Sequence, residues 1–162
     1  MAVLDSNEIF FTAFEPKVKN RFICYIDGFP SYILKGVNAV TIDNGEQVLN
    51  HINVYRKVKG KSKWGDVQFT LYDPITPSGA QAMIEWIRLH HESVTGRDGY
   101  SDFYKKDITF NVLDPVGSII SEWVMKGAFI KTANWGDYSY DEDGTIQNLT
   151  MTVGMDYCVL NF

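Results

Sequence analysis

The chain has 162 residues, 45% of them apolar, which is enough for one domain with a buried core. Its net charge of −5 argues against a surface that binds nucleic acid as a whole, but does not exclude a local basic patch. Residues 1–14 lack a basic segment followed by an apolar run, which predicts no signal peptide. No apolar run is long enough to predict a membrane span. We expect a protein made and folded in a cytoplasm.

The first part of the chain predicts an arm followed by two strands. Residues 1–19 include an apolar cluster at 9–14, which must pack on its own domain or on a neighbour. Residues 20–26 are rich in aromatic and β-branched side chains and predict a strand. A second strand is predicted over 32–42, with an interruption near Gly36.

Residues 44–63 predict a long hairpin or loop that projects from the body. Asn44-Gly45 is a hairpin signal, because both residues tolerate positive φ. The following segment is basic, and its four lysines at every second position would share one face of an extended chain. Three interpretations stay open. The segment could bind nucleic-acid phosphates with Tyr55 and Trp64 stacking on bases, meet an acidic surface of another copy, or be a solvated loop.

The middle of the chain predicts one helix between two strands. Residues 67–72 and 108–113 alternate apolar and polar positions and each precede Asp-Pro. The helix is predicted over 79–95, with Ser78 as its N-cap. We expect its apolar stripe to run as far as His91 and Val94.

The last third predicts a strand over 118–132 broken at Gly127, an acidic tyrosine-rich connection at 134–142, and a closing strand over 149–157. In the closing strand, apolar positions alternate with polar ones. The chain therefore predicts a mainly β, α+β fold: an antiparallel β-sandwich or barrel with one flanking helix, in a single domain over 1–162.

The sequence offers no assembled catalytic, cofactor or metal site. His90 and His91 are adjacent, which is not the i, i+4 spacing of a helical metal site, so packed or capped histidines are the better interpretation. Cys24 and Cys158 each lie in an apolar run and are expected as buried thiols, with a disulfide between them left open. We expect a protein that is not an enzyme and that uses no cofactor and no metal.

The order of these features resembles the tail tube proteins of contractile-tailed bacteriophages. Residues 20–26 (NRFICYI) are similar to that family's opening strand, and residues 64–71 (WGDVQFTL) to the strand that returns after its hairpin. The helix with Trp86 follows in the same order. Residues 146–157 (IQNLTMTVGMDY) resemble the family's terminal strand.

This resemblance implies a structural subunit that forms six-membered rings, stacked into a hollow tube through which DNA passes without specific binding. The hairpin 44–63 and the arm 1–19 would reach the next ring. Sheath, baseplate and tape-measure proteins would be its partners, with no membrane contact, and the protein would reside in the tail tube of a virion. A ring protein of a type VI secretion tube shares the implied fold and stays open. A monomeric ligand-binding β-barrel is an alternative from another class.

Two sets of side chains follow as candidates for assembly. The expected inter-subunit contacts are Phe10, Phe11, Phe14, Tyr55, Arg56, Lys57, Lys59, Lys61, Lys63, Asp137, Asp141 and Glu142. The expected channel-facing residues are Thr150, Thr152 and Asp156, with Met151, Val153 and Met155 turned to the core.

Overall fold

The computed structural model describes residues 14–162, so Phe10 and Phe11 of the arm lie outside the described residues. The described part is mostly antiparallel sheet, as the alternating patterns predict. Its strands are β1 (Phe22–Ile26), β2 (Leu34–Val37), β3 (Ile42–Asp43), β4 (Glu46–His51), β5 (Val54–Lys59), β6 (Lys63–Trp64), β7 (Val67–Tyr72), β8 (Lys106–Leu113), β9 (Ile119–Asn134), β10 (Asn148–Gly154) and β11 (Tyr157–Leu160). Its helices are α1 (Gly79–Arg88), the single turn α2 (Ser101–Tyr104) and a 3-10 turn at Ser31–Ile33.

Seven strands form one sheet in the order β1-β8-β9-β10-β7-β2, with β11 also paired to β9. The long strand β9 joins two half-sheets. The first half-sheet contains β1, β8 and β11 with the first part of β9, which pairs with β8 and β11. The second half-sheet contains β2, β7 and β10 with the second part of β9, which pairs with β10. Gly127 lies between the two parts with φ +67°, a conformation that glycine adopts without steric cost. The predicted interruption at Gly127 is therefore a local irregularity within one continuous strand.

The inner faces of the two half-sheets share one core. Alternate residues of β7 and β10 are fully buried, as are residues of β1, β8 and β9 that face them. Helix α1 adds Met83 and Trp86 to this core, and the indole nitrogen of Trp86 donates a hydrogen bond to the carbonyl oxygen of Tyr104 at 2.7 Å. The predicted sandwich with one flanking helix is confirmed.

Helix α1 is shorter than the predicted 79–95. It begins at the predicted cap, where the Ser78 hydroxyl accepts a hydrogen bond from the backbone N–H of Gln81 at 3.4 Å. It ends at Arg88. The chain then forms a turn in which the Glu92 carboxylate accepts a hydrogen bond from the Thr95 hydroxyl at 2.8 Å. This local side-chain bond competes with helix continuation, and Val94 is left 93% exposed.

The two histidines after α1 take different roles. His91 does not lie on an apolar stripe; its Nδ1 is 2.9 Å from Asp98 Oδ1 and it is exposed. The His90 ring packs against Tyr104 with 5.2 Å between ring centres, and burial lowers its pKa. The interpretation as a packed histidine holds for His90, whereas His91 is exposed and the predicted stripe through it is wrong.

The predicted closing strand over 149–157 is divided in two. Alternation holds in β10, where Met151 and Val153 are fully buried. It fails after Gly154, which is itself buried, because β10 ends there and β11 pairs instead with the first part of β9. Tyr157 is half-exposed, and Cys158 is its buried neighbour.

The cysteines are both free and buried, in β1 and β11. The strands β8 and β9 lie between β1 and β11, so the two thiols are too far apart for a disulfide. No helix in the described part of the chain is long and apolar enough to cross a membrane. Within residues 14–162, no group of three His, Cys, Asp or Glu side chains is placed to hold a metal ion.

Candidate assembly surfaces

The basic hairpin (44–63) projects from the body as an isolated two-stranded ribbon. Strands β4 and β5 pair with each other alone, and all twelve of their residues are exposed. The turn lies at Ile52-Asn53 and not at the predicted Asn44-Gly45. Asn44 instead holds the base of the hairpin by accepting a hydrogen bond from Ser62 at 2.9 Å. A lone ribbon of this size is marginally stable in water, so this surface is built to be covered.

The two faces of the ribbon have different chemistry. Residues opposite each other in an antiparallel pair share a face, which places Tyr55, Lys57 and Lys59 together. Lys57 forms a 3.2 Å ion pair with Glu46 on the same ribbon, and both side chains remain exposed. The other face carries Arg56 among aliphatic side chains. Four basic side chains of the hairpin have no ion pair within residues 14–162: Arg56, Lys59, Lys61 and Lys63.

The predicted alignment of four lysines on one face holds only in part. Lys57 and Lys59 lie on β5, whereas Lys61 lies beyond its end and Lys63 belongs to β6. The chain leaves the ribbon at Gly60, where the Gly60 amide bonds to the Gly45 carbonyl. The positive charges therefore run from the middle of the ribbon down to its base.

An acidic loop (137–143) connects β9 and β10 at another part of the surface. Its two ends are held together where the Gln147 side chain donates to the Trp135 carbonyl oxygen at 2.6 Å. Between them Tyr138 and Tyr140 are almost fully exposed. The four carboxylates of the loop have no cationic partner within the described residues: Asp137, Asp141, Glu142 and Asp143.

Ion pairs elsewhere in the described residues include Lys126 with Asp107 and Lys131 with Asp66, each at 2.7 Å. The hairpin and the acidic loop instead leave four unpaired charges each, of opposite sign. Complementary patches of this kind fix the orientation of two associating surfaces.

A third surface is the outer face of the second half-sheet. Strand β10 lies between β7 and β9. Thr150 pairs with Thr70 of β7 and Thr152 with Gln68 of β7, and both also pair with residues of β9. The side chains at these paired positions are uncharged, and Lys35 of β2 borders them, donating to the Asn148 side chain on the same face at 3.4 Å. The threonine face consists of Gln68, Thr70, Thr132, Asn134, Thr150 and Thr152. The alternation of β7 and β10 marks these positions as polar, but only strand pairing brings them onto one surface.

Asp156 does not belong to the threonine face. It follows the end of β10, and Lys105 donates to both of its carboxylate oxygens at 2.8 and 3.0 Å. Its carboxylate lies against Gly127. Met155, which was expected to face the core, is only partly buried. Phe14 is the one aromatic of the predicted arm within the described residues, and it is exposed.

The fold is similar to solved structures of contractile injection systems. The cap that terminates the tube of the anti-feeding prophage aligns with a TM-score of 0.75 and 15% identity, over 93% of this chain and 94% of that one. The sheath/tube terminator of an extracellular contractile injection system, PVC, aligns with a TM-score of 0.74 and 16% identity, over 93% and 100%. Hcp1 from Flavobacterium johnsoniae aligns with a TM-score of 0.50 and 11% identity, over 86% and 94%.

No protein-family model and no curated protein sequence matches the chain. At identities this low, the structural likeness shows the fold. The expected resemblance to tube proteins of contractile machines is confirmed at that level.

Proposed function

We propose that this chain is the structural subunit of a tube in a contractile injection machine. Copies close into six-membered rings, and the rings stack into a hollow channel. The observation that carries the proposal is the basic hairpin, a ribbon exposed on both faces and attached to a fold found in tube and cap proteins. The role is structural and requires no catalysis.

The hairpin and the arm form the contacts between rings. The four unpaired cations of the hairpin suit the acidic loop of a copy in the neighbouring ring, since each segment lacks partners within the described part of its own chain. Such a contact joins two different patches, so each added ring presents a new free patch and the assembly can grow. The arm residues Phe10, Phe11 and Phe14 add apolar contact.

The threonine face lines the channel. A wall made mostly of hydroxyl and amide groups stays hydrated and offers a polyanion few fixed charges, with Lys35 as the cation at its edge. The partly buried Thr150 and Thr152 are central to this face, whereas Asp156 stands outside it in its ion pair with Lys105. This face therefore suits smooth passage of DNA during ejection from a phage particle, with no specific binding.

The proposed setting is the tail tube of a virion, assembled in the host cytoplasm, with sheath, baseplate and tape-measure proteins as neighbours. A sheath-tube complex and a baseplate are named among the structures of similar fold. A secretion tube of the type VI kind is the second candidate, because a type six secretion system protein has a similar fold at a TM-score of 0.50 and 7% identity, over 86% of this chain and 81% of that one.

A monomeric ligand-binding barrel fits the described residues less well. The apolar cavity between the half-sheets, lined by Phe110, Trp123 and Met125, measures about 100 Å³. Ligand sites usually enclose roughly 300–1,000 Å³. A larger groove of about 400 Å³ lies beside Leu49, His51 and Tyr55 on the exposed hairpin and not inside the sandwich.

Electron microscopy of the purified chain tests the proposal. Negative staining should show rings, and at higher concentration or with a preformed ring as nucleus it should show tubes. A chain that stays monomeric at high concentration, with or without a nucleus, would refute the tube function. Image averaging of the rings would give the number of subunits.

A further inference from the structure

Ile52 occupies the tip of the basic hairpin in a conformation that disfavours it. Its φ is +47°, and it is the one residue other than glycine with positive φ among residues 14–162. In two-residue hairpin turns such positions usually hold Gly, Asn or Asp, and a β-branched residue there is an outlier. The side chain is nevertheless apolar and 90% exposed. Strained residues of this kind persist where the strained conformation has a use.

The tip continues into a face of the ribbon that mixes aliphatic and polar side chains. Leu49 on β4 and Val54 and Val58 on β5 share this side, as the pairing register requires, and each is about half-exposed. Gln47, His51 and Arg56 lie opposite them on the same side. No part of the described body covers the three aliphatic side chains, and exposed apolar side chains next to a projecting one are typical of a contact surface.

The same molecule has an open apolar cavity. Val37 and Val40 form one wall, and Phe110, Trp123 and Met125 form the other, where the two half-sheets part. Its volume is about 100 Å³, and its lining is almost entirely apolar. The one polar side chain at its edge, Asn38, already donates a hydrogen bond to Gln68 at 3.5 Å.

The chain cannot place its own tip in this cavity. Val40 lies just before the base of the hairpin, and the ribbon carries Ile52 six residues beyond Glu46. Six residues of a strand span about 20 Å, and a paired ribbon does not fold back on its base. The tip of a second copy is not subject to this limit and can reach the cavity.

We propose that Ile52 of one copy inserts into the cavity between the half-sheets of a second copy, with Leu49 and Val54 packing on its rim. The inference rests on the proposed tube function and names a receptor for the hairpin in addition to the acidic loop. A projecting side chain in one place and a cavity in another give a head-to-tail contact, which repeats without closing along a stack. Burial of Ile52 in the assembly offsets the strain of its backbone.

Replacing Ile52 distinguishes the contribution of its apolar side chain from the effect of its positive φ. Ile52→Gly removes the side chain and suits the positive φ, so the isolated chain should unfold at the same or a higher denaturant concentration than the wild type. The concentration needed for tube growth should rise at least roughly tenfold, as expected when one buried aliphatic side chain is lost. Ile52→Met keeps an apolar tip and should retain growth. Val116→Gly replaces an equally exposed valine in another turn and serves as control.

Cross-linking tests the contact directly. The pair Ile52→Cys and Ala39→Cys, with Ala39 at the rim of the cavity, should give a ladder of covalent multimers on a non-reducing gel. Each single variant should give no ladder, because the native cysteines are buried. The pair Ile52→Cys and Val116→Cys should also give none.

The outcomes separate this inference from the proposed function. Tubes that grow equally well with Ile52→Gly, or a double-cysteine pair without a ladder, would overturn the inserted tip while leaving the tube function standing. Growth that is unchanged by Ile52→Gly but lost on deletion of residues 1–13 would give the cavity to the N-terminal segment instead, which also overturns it. A wild-type chain that forms neither rings nor tubes would overturn both.

Discussion

Lys105 Nζ donates hydrogen bonds to both carboxylate oxygens of Asp156, at 2.8 and 3.0 Å, across 51 residues of sequence. The bond raises the pKa of Lys105 above its ordinary value. It ties the connection between β10 and β11 to the end of α2, and it holds the Asp156 carboxylate against Gly127 in the middle of β9. The place where β9 passes from one half-sheet to the other is thus fixed by a side chain as well as by strand pairing.

Gly127→Ala should destabilise the fold. The new methyl group would collide with the Asp156 carboxylate, and alanine disfavours a φ of +67°. We expect a loss of about 1–3 kcal/mol in the free energy of unfolding, measured in urea. Asp156→Ala removes the collision but not the backbone strain. The double variant should therefore be more stable than the sum of the single losses predicts, and strict additivity would contradict the contact.

Charge reversal in the hairpin should block stacking without affecting the fold. Lys59→Glu with Lys61→Glu places negative charge opposite the acidic loop of the next copy, and like charges across an interface oppose association. Rings should form but fail to stack in electron micrographs, while circular dichroism stays unchanged. Adding Asp141→Lys and Glu142→Lys to the same chain should restore stacking.

The control for a single reversal in the hairpin keeps the same change in net charge. Arg88 lies outside the hairpin and the arm and forms no ion pair within residues 14–162, so Arg88→Glu should leave stacking intact, whereas Lys59→Glu alone should weaken it. If the control blocks stacking as strongly as the hairpin variant, the effect belongs to net charge, and the hairpin has no special role.

A cysteine at Thr152 should report whether the threonine face lines the channel. A small maleimide should label Thr152→Cys in both free subunits and assembled tubes. A maleimide carrying a long polymer should label free subunits but be excluded from the interior of tubes. Val116→Cys, in an exposed turn, compares the two reagents on another surface. Equal polymer labelling of Thr152→Cys before and after assembly would show that this face lies outside the channel.

The Cys24 thiol should be unreactive in the folded chain. Burial raises its pKa to about 12, so almost no thiolate exists near pH 8. Iodoacetamide should modify Cys24 only after unfolding, as read by mass spectrometry. Because the pKa is higher in the folded state than in the unfolded one, its stabilising contribution is complete below about pH 9 and is lost as pH rises toward about 12. Cys24→Ala should flatten that part of the pH dependence of unfolding.

Much of the fold follows from local pattern. Alternation in 67–72 and 108–113 predicted β7 and β8, because one face of each strand had to be buried. The Ser78 cap correctly predicted the start of α1. Its end was wrong, because the Glu92–Thr95 hydrogen bond is a local competitor that an apolar stripe does not reveal.

The candidate surfaces were predicted less completely, because they depend on which strands pair. Thr150 and Thr152 were identified from alternation, whereas Gln68 and Thr132 join them only through the register of β10 with its two neighbours. Asp156 was predicted to face the channel because it is a polar residue near the end of the alternating strand, and its ion pair with a lysine 51 residues away gives it a structural role.

The sequence by itself determined that the chain is β-rich, that it has one substantial helix, and that its basic and acidic residues are concentrated in separate segments. These properties depend on neighbouring residues and on the two- and 3.6-residue periods of strands and helices. Only the tertiary structure decided that the basic segment stands free of the body, that its turn presents Ile52, and that an apolar cavity lies open between the half-sheets. Such features arise from contacts between residues far apart in the chain, and a local pattern carries no information about them.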